Sequence, residues 1–367
     1  GFYFPNSMDV PGYPYPEYPK PARGKVDNPG HKYPFASETI TTGIRDATLT
    51  GEPYPIKGWL VYATNLLQAL PSQDETIRAI QNLDLMAVVD VVPSEIAGWA
   101  DVVLPEATYL ERYEDLNVEF FREPFVALRQ PVVPPPHDQK PNWWMARELA
   151  LKLGLGAYYP WTDIEEYLDH RLKAAGYSLA ELKQKGLVKG PKPPLYFEDG
   201  IAPEFATPSG KIEFYSTQLQ AAGFDPIPRH ERPAEGPPGS FRLLYGRAPV
   251  HTFSRTQTNP ILRDAMEENE VWLNASVGAR MELASGDYVR LRNQDGVLSN
   301  RVKVRVTEAI RPDCVYMVHG FGHTARGLRS AYGRGASDAQ LITRYATDPL
   351  MGGTGTNINF VTVEAEA

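Results

Sequence analysis

Apolar runs that alternate with amphipathic segments predict a parallel sheet in the first third of the chain. Residues 59–63 and 85–89 are continuous runs of apolar, β-prone residues, and ADVVLP at 100–105 contains a third. A helix is predicted between the first two runs, with Ser72 and Glu75 in a capping-box pattern. Strands of this kind, joined by a helix, indicate a parallel sheet covered on both faces. Ligands bind beyond the carboxyl ends of such strands, so Asn65 and Asp90 mark a predicted binding edge.

A different pattern begins at Phe241. Short strands recur at regular spacing, namely FRLLYG, EVWLN, DYVRLRN, SNRVKVRVT and CVYMVHG, and turn residues stand at 285–287 and 295–296. Apolar residues alternate with Arg and Lys over 301–306, which gives one buried face. This pattern of short strands predicts a small, closed β-barrel. The run PLMGGTGTNINFVTVE predicts a glycine-rich loop that leads into a final strand.

Together with the remaining segments, these patterns predict the fold class α/β plus β and the following domains. Residues 1–57 form a predicted extended Pro/Tyr-rich arm that packs through its rings onto another surface, with a disordered linker as the alternative. Residues 58–225 form a partial α/β domain with a helical insert, in which Asn142, Asp163 and Ser178 begin helices. A strand is predicted at 211–215. Residues 226–240 are a proline-rich linker, and 241–367 form the barrel.

Composition narrows the classes of function. The 367 residues carry a net charge of -8 and scattered basic residues, so no nucleic-acid footprint is present. The single cysteine, Cys314, excludes an intrachain disulfide, a CxxC zinc site and a self-contained iron-sulfur ligand set. No apolar run approaches the roughly 20 residues that cross a bilayer. The N-terminus lacks the features of a signal peptide, which suggests a fragment or a processed chain.

Hydrolytic, zinc and phosphate-loop constellations are not supported. His319 and His323 have i,i+4 spacing, but HGFGH holds two glycines and follows a strand, so the spacing does not predict a metal site. The glycine-rich residues 352–356 lack the Lys-Ser/Thr of a phosphate loop and precede a strand.

Several motifs together are more informative, because they occur in a characteristic order. VVDVVPSE, ADVVLPEATYLERYEDLN, TPSGKIE, a GRxxxH element, a Gly-Asp turn and a C-terminal Gly-rich Asn loop resemble the dimethyl sulfoxide reductase superfamily. HGFGH followed by GRGASD looks most like the catalytic subunit of polysulfide or thiosulfate reductases. The resemblance covers nearly the whole chain but only about the last half of such an enzyme. It implies a partial Rossmann-like parallel sheet, which is half of a domain, followed by a double-psi β-barrel.

The resemblance also implies a cofactor, bis(molybdopterin guanine dinucleotide) with molybdenum or tungsten. Asp90 and Ser94 match the positions that hold one guanosine end, and Asn65 matches a loop residue that approaches a dinucleotide. Guanine presents two donors, N1–H and N2–H2, which a carboxylate accepts in bidentate fashion. The alternative for Asp90 is a turn residue at a strand end.

Other candidates come from the same resemblance. The loop GRAPVHTFSRT looks like a clamp on the pterin and phosphates, with an ordinary surface ion pair as the alternative for one arginine; its candidates are Arg247, His251, Ser254 and Arg255. Thr356 and Asn357 match positions that face the cofactor from the other side. Asn142 is a possible contact that helix capping explains equally well. One of His319 and His323 is expected near the cofactor, with a core or surface histidine as the alternative.

The implied function is the reduction of polysulfide or thiosulfate in anaerobic respiration. The metal ligand, a 4Fe-4S cluster and the second nucleotide fold are expected in an upstream N-terminal half, so this chain alone should be inactive. The resemblance further implies an iron-sulfur electron-transfer subunit, a membrane anchor subunit and a periplasmic or extracytoplasmic location. The alternatives are a tetrathionate, arsenate or formate enzyme of the same superfamily, or a module that binds a nucleotide or a partner without catalysis.

Overall fold

A computed structural model describes residues 7–27, 32–118, 121, 123–191, 200, 202–203 and 205–365. The chain divides into two compact units. One, here called the helical unit, comprises Gly1–Pro21 and Pro105–Arg229. The other, the sheet-and-barrel unit, comprises Ala22–Leu104 and His230–Ala367. The domain boundaries drawn from the sequence stay a prediction.

The first part of the sheet-and-barrel unit is a small three-stranded sheet with helices. Its elements are α1 (Thr41–Thr50), β1 (Gly58–Tyr62), α2 (Leu66–Ala69), α3 (Gln73–Gln81), β2 (Leu85–Asp90), the 3-10 helix Ile96–Trp99 and β3 (Val102–Pro105). The strand order is β1-β2-β3. β1 and β2 pair in parallel, with Gly58 opposite Leu85 and Tyr62 opposite Val89, which confirms the predicted orientation. Met86 and Val88 of β2 and Ile96 of the 3-10 helix are buried in one hydrophobic core.

Two local predictions in this region were wrong. Ser72 has φ 59° and makes no side-chain cap bond, although α3 begins directly after it. Its backbone N–H donates instead to the Ile342 carbonyl at 2.8 Å, and this tertiary bond replaces the capping box. The segment predicted to be an extended arm also contains α1. Four β-branched threonines weaken the helix signal of TTGIRDATLT. The helix is stabilised by tertiary packing, since its Arg45 is fully buried and pairs with Glu75 at 2.9 Å.

The described residues of the helical unit form short helices and one strand pair. Its elements are β4 (Phe125–Ala127), α4 (Asn142–Lys152), the 3-10 helix Gly156–Tyr158, α5 (Ile164–Ala174), α6 (Leu179–Lys185), β5 (Leu187–Lys189) and α7 (Thr217–Ala221). β4 and β5 pair antiparallel. Asp163 and Ser178 cap α5 and α6 with their side chains, as predicted. Leu168, Leu172 and Leu182 are fully buried in the core of this unit.

The tyrosines of the N-terminal segment pack within this unit, as the arm prediction expects. Tyr13 stacks on Tyr167 with ring centroids 5.6 Å apart, and Tyr18 stacks on Tyr158 at 5.1 Å. The buried Arg171 donates from Nε to the Pro11 carbonyl at 3.0 Å.

Two further local predictions in the helical unit were wrong. No strand forms at 211–215 among the described residues. Local bonds satisfy that segment instead, since Thr207 Oγ1 donates to the Lys211 carbonyl at 2.7 Å and Phe214 is 85% exposed. Asn142 is the first residue of α4 rather than its cap, because Pro141 occupies the cap position.

The C-terminal part of the sheet-and-barrel unit is a closed barrel, as predicted. Its elements are β6 (Phe241–Gly246), α8 (Pro260–Ala265), β7 (Glu270–Leu273), α9 (Ala275–Met281), β8 (Tyr288–Asn293), β9 (Val302–Val306), β10 (Cys314–Val318), α10 (Asp338–Leu341), β11 (Ala346–Thr347), β12 (Thr354–Gly355) and β13 (Phe360–Ala365). Six strands close in the order β10-β6-β13-β8-β9-β7. Alternate residues of these strands fill the interior, among them Val315 and Met317 of β10. Cys314 is also buried but lies outside this core cluster.

Candidate functional site

The loop that follows β2 is organised by Asp90. Its Oδ1 accepts from the Val91 backbone N–H at 2.7 Å, and its Oδ2 accepts from the Ser94 hydroxyl at 2.8 Å. Asp90 is half-buried and Ser94 is buried. The two residues predicted to hold a guanosine therefore form one unit, in which the hydroxyl fixes the orientation of the carboxylate. Oδ1 also accepts a longer bond from the Val92 N–H at 3.4 Å, whereas Oδ2 keeps a second lone pair for another donor.

Asn65 and Glu95 connect the loops that follow β1 and β2. Asn65 Nδ2 donates to Glu95 Oε2 at 2.7 Å. The carboxylate only accepts, so it fixes the Asn65 amide with its NH2 group toward Glu95. Asn65 Oδ1 is buried and has no hydrogen-bond partner among the described residues. This acceptor is left for a donor that this part of the protein does not supply.

Glu95 also contacts the barrel loop that follows β10. Its Oε1 accepts from His323 Nδ1 at 3.0 Å and from the backbone N–H groups of Thr324 and Ala325 at 2.8 and 3.1 Å. The Glu95 and His323 side chains are 6% and 1% exposed. Burial disfavours the charged carboxylate, but the hydrogen bond and the attraction of His323 outweigh it and lower the pKa of Glu95 to about 2. Glu95 is therefore a buried carboxylate with a full set of donors.

His319 forms a second buried pair, with Asp338. Its Nδ1 donates to Asp338 Oδ2 at 2.8 Å, and the Asp338 side chain is fully buried. Burial opposes the charged imidazole, yet the hydrogen bond and charge of Asp338 outweigh burial and raise the pKa of His319 above 6.5. A cavity of about 40 Å³ beside the pair is also lined by Tyr245, Thr356 and Gln68. The pair thus joins the HGFGH and GRGASD motifs at one place.

The loop that follows β6 contains the predicted phosphate clamp. Arg255 donates from Nη2 to the carbonyl of Ala63, at the end of β1. Arg247 lies over the Phe253 ring at 4.3 Å and forms no salt bridge with any residue that the structure describes. Both arginines are exposed, and Ser254 is half-buried. An arginine without a carboxylate partner is suited to a phosphate.

His251 in the same loop has a structural role. Its Nε2 donates to the Met266 carbonyl at 2.9 Å, which leaves Nδ1 to accept from the Thr256 hydroxyl at 3.1 Å. The ring is buried and meets Phe321 edge-on. Both nitrogens are therefore occupied by the protein, and cofactor contact by His251 stays a prediction.

Two glycines allow the barrel loops to approach each other closely. Gly320 has φ 94°, and a Cβ there would lie 2.2 Å from the Phe253 carbonyl oxygen. Gly322 has φ 73°, and a Cβ there would lie 2.3 Å from the Ser337 nitrogen. Only glycine fits at these positions, which explains the two glycines of HGFGH.

The C-terminal glycine-rich loop is held by Asn359. This fully buried side chain donates to the carbonyls of Arg344 and Thr356, and its Oδ1 accepts from the Thr343 N–H. Thr356 Oγ1 lies 2.6 Å from the Tyr245 hydroxyl, and Asn357 is exposed. The loop presents Thr356 toward the same cavity as His319.

The structure brings some of the predicted candidates together. Asn65 and His323 meet through Glu95, and Asp90 meets Ser94 directly. A second group, with His319 and Thr356, lines the small cavity. Asn142 belongs to the helical unit, and its role as a cofactor contact stays a prediction.

Sequence reasoning missed Glu95 and Asp338 as members of the site. Each stands inside a motif that was recognised, VVDVVPSE and GRGASD, but an acidic residue in a loop is ordinarily solvated. Their burial is decided by contacts with residues 228 and 19 positions away. Among the described residues, no cluster of three His, Cys, Asp or Glu side chains could hold a metal ion. Within the same ranges, no helix is long and apolar enough to cross a membrane.

Comparisons with known proteins show which family the chain resembles. Residues 241–360 match the family "Molydopterin dinucleotide binding domain", and residues 38–152 match "Molybdopterin oxidoreductase". The thiosulfate reductase molybdopterin-containing subunit PhsA of Salmonella typhimurium is 33% identical over 360 residues, covering 91% of this chain and 47% of the relative. Acetylene hydratase of Syntrophotalea acetylenica is 28% identical, covering 71% of this chain and 37% of the relative. The chain thus spans less than half the length of these relatives.

The fold is also found in a solved structure. Acetylene hydratase from Pelobacter acetylenicus superposes with a TM-score of 0.71 at 24% identity, covering 89% of this chain and 47% of that one. The chain thus combines a mixed α/β architecture with a closed six-stranded barrel, and the barrel residues match a molydopterin dinucleotide binding domain. The chain belongs to the molybdopterin oxidoreductase family, within the dimethyl sulfoxide reductase superfamily.

The residues present fit a dinucleotide cofactor of this kind. Asp90 offers an oriented carboxylate, Arg247 is without a salt bridge in the described ranges, and Asn65 Oδ1 is a buried acceptor without a described donor. The Asp90 carboxylate suits the donors of a guanine edge, and the Arg247 guanidinium suits a phosphate. The Asn65 oxygen suits a further donor of the ligand. When bound, the cofactor would supply a metal centre for two-electron chemistry. The residues of this chain would bind and orient it.

Proposed function

We propose that this chain is the part of a molybdenum or tungsten oxidoreductase that binds bis(molybdopterin guanine dinucleotide). In this proposal the sheet is a partial Rossmann-like domain and the barrel a double-psi barrel. The oriented Asp90–Ser94 pair at the carboxyl end of β2 is the observation that carries it. Asp90 and Ser94 bind one guanosine end, Asn65 approaches a dinucleotide, and Arg247 binds phosphate.

The proposed substrate is a sulfur compound, polysulfide or thiosulfate. Support comes from the similarity to the thiosulfate reductase subunit and from the His319–Asp338 pair, which joins HGFGH to GRGASD. His319 keeps a proton on Nδ1 toward Asp338, so its other ring nitrogen is the one that can exchange a proton with a ligand. Enzymes acting on tetrathionate, arsenate or formate share the cofactor scaffold and stay alternatives, as does a module that binds without catalysis.

The setting of the enzyme is part of the same proposal. We infer an upstream segment that supplies the metal ligand and a 4Fe-4S cluster. An iron-sulfur electron-transfer subunit and a membrane anchor subunit would connect the chain to anaerobic respiration at the periplasmic face.

Cofactor analysis of the holoenzyme tests the proposal. We expect two guanines per molybdenum or tungsten after acid release, and reduction of thiosulfate or polysulfide by a reduced viologen dye. A protein without pterin and guanine would refute cofactor binding and favour the non-catalytic module. Two guanines per metal with turnover of only arsenate, tetrathionate or formate would retain the cofactor site but refute the sulfur-compound assignment.

A further inference from the structure

A single buried carboxylate holds three loops of the sheet-and-barrel unit together. Glu95 follows β2, Asn65 follows β1, and residues 323–325 follow β10. The described hydrogen-bond partners of the Glu95 side chain are Asn65 Nδ2, His323 Nδ1 and the N–H groups of Thr324 and Ala325. All of them are donors, so the group that fits among them is a carboxylate.

The loops that meet at Glu95 are those that carry the proposed cofactor contacts. Ser94, which orients Asp90, is its direct neighbour in the chain. Asn65 is held by Glu95 Oε2 at 2.7 Å, and its Oδ1 is the buried acceptor without a described partner. A displacement of Glu95 would therefore disturb both sheet loops and the barrel loop together.

We propose that Glu95 is a positioning residue for the dinucleotide, and that His323 acts through it. Glu95 makes no proposed contact with the cofactor. It fixes the Asn65 amide and the Asp90–Ser94 loop against the barrel loop, so that the sheet and the barrel present one preformed site. The inference rests on the proposed function, because it takes Asn65, Asp90 and Ser94 as cofactor contacts.

The substitution Glu95→Gln separates charge from shape. Glutamine has the same length, but its amide places an NH2 group against a donor in either orientation. Two variants of His323 provide the complement. His323→Asn can keep a donor near the position of Nδ1, whereas His323→Leu removes the donor at similar bulk. Val88→Ala, in the buried core of β2, is the matched control because it destabilises the same sheet without removing a hydrogen bond of Glu95.

The test uses the holoenzyme and two readouts besides activity. One is the guanine content per metal after overnight dialysis, and the other is hydrogen exchange of the peptide containing Thr324 and Ala325. For Glu95→Gln and His323→Leu we expect about tenfold lower guanine retention, the scale seen when an outer-shell partner is lost. We also expect faster exchange of the two amides in these variants. His323→Asn and Val88→Ala should retain guanine as the wild type does.

The outcomes separate this inference from the proposed function. Wild-type guanine retention in Glu95→Gln, with a fully loaded wild type, would overturn the positioning role alone. Equal loss in Val88→Ala at the same melting temperature would reduce Glu95 to a structural residue and also overturn it. A wild-type holoenzyme without guanine would overturn the proposed function, and the inference with it.

Discussion

Removal of the Asp90 carboxylate should weaken dinucleotide binding much more than it destabilises the fold. Two charge-assisted hydrogen bonds to a guanine edge are worth roughly 1.5–3 kcal/mol each. Their loss in Asp90→Ala amounts to about 3–6 kcal/mol, or about a hundredfold to ten-thousandfold in affinity. Ser94→Ala removes only the 2.8 Å bond that orients the carboxylate, so about 1 kcal/mol and a loss of roughly fivefold are expected.

The assay is the guanine content of purified holoenzyme after dialysis, with a urea melt of each variant beside it. Asp101→Ala is the control, because Asp101 Oδ2 accepts from the Met86 N–H at 2.7 Å and supports the same sheet away from the Asp90 loop. It should lower the urea midpoint and retain guanine. Equal guanine content in Asp90→Ala and wild type, or a larger loss in Ser94→Ala than in Asp90→Ala, would refute the reasoning.

Three further predictions concern stability. Gly320→Ala should prevent correct closure of the barrel loops, because its Cβ would lie 2.2 Å from the Phe253 carbonyl oxygen. Gly296→Ala is the control: its φ is 85° but open space surrounds it, so it should cost only about 1–2 kcal/mol in urea unfolding. Equal urea midpoints for the two variants would contradict this prediction. Leu168→Ala should cost about 2–5 kcal/mol, since the side chain is fully buried in α5, and a change below 1 kcal/mol by the same melts would contradict the assigned core. Because the pKa of Glu95 is lowered from 4.5 to about 2 in the folded protein, its carboxylate stabilises the fold fully above pH 4.5. This stabilisation, on the order of 3 kcal/mol, is lost as the pH falls toward about 2. The free energy of unfolding should therefore fall less steeply with pH in Glu95→Gln, and an unchanged slope would argue against an ionised Glu95 in the folded protein.

The strands could be predicted because each is a local pattern. Residues 85–89 are apolar and β-prone over their whole length, and in residues 301–306 apolar side chains alternate with basic ones. Such a pattern indicates a strand whatever its place in the fold, because a strand needs only a buried face and a neighbouring strand to pair with. The barrel strands were therefore all predicted, and so were the side-chain caps Asp163 and Ser178.

Predictions failed where a distant contact or a local turn bond overrides the pattern of the sequence. Ser72 reads as a helix cap, but its N–H is taken by Ile342, 270 positions later, and the backbone turns left-handed. The run KIEFY alternates like a strand, yet no strand pairs with it among the described residues. The bond of Ser72 is long-range, whereas the bonds that replace the strand are local, such as that from Thr207 Oγ1 to the Lys211 carbonyl.

The sequence by itself determined the order of the barrel strands and the motifs of the family, since each is a local pattern of residues. Only the tertiary structure decided that Glu95 meets His323 and that His319 meets Asp338. A carboxylate in a loop is solvated unless donors from elsewhere surround it, because burying its charge without partners is costly. The fold alone brings those donors together.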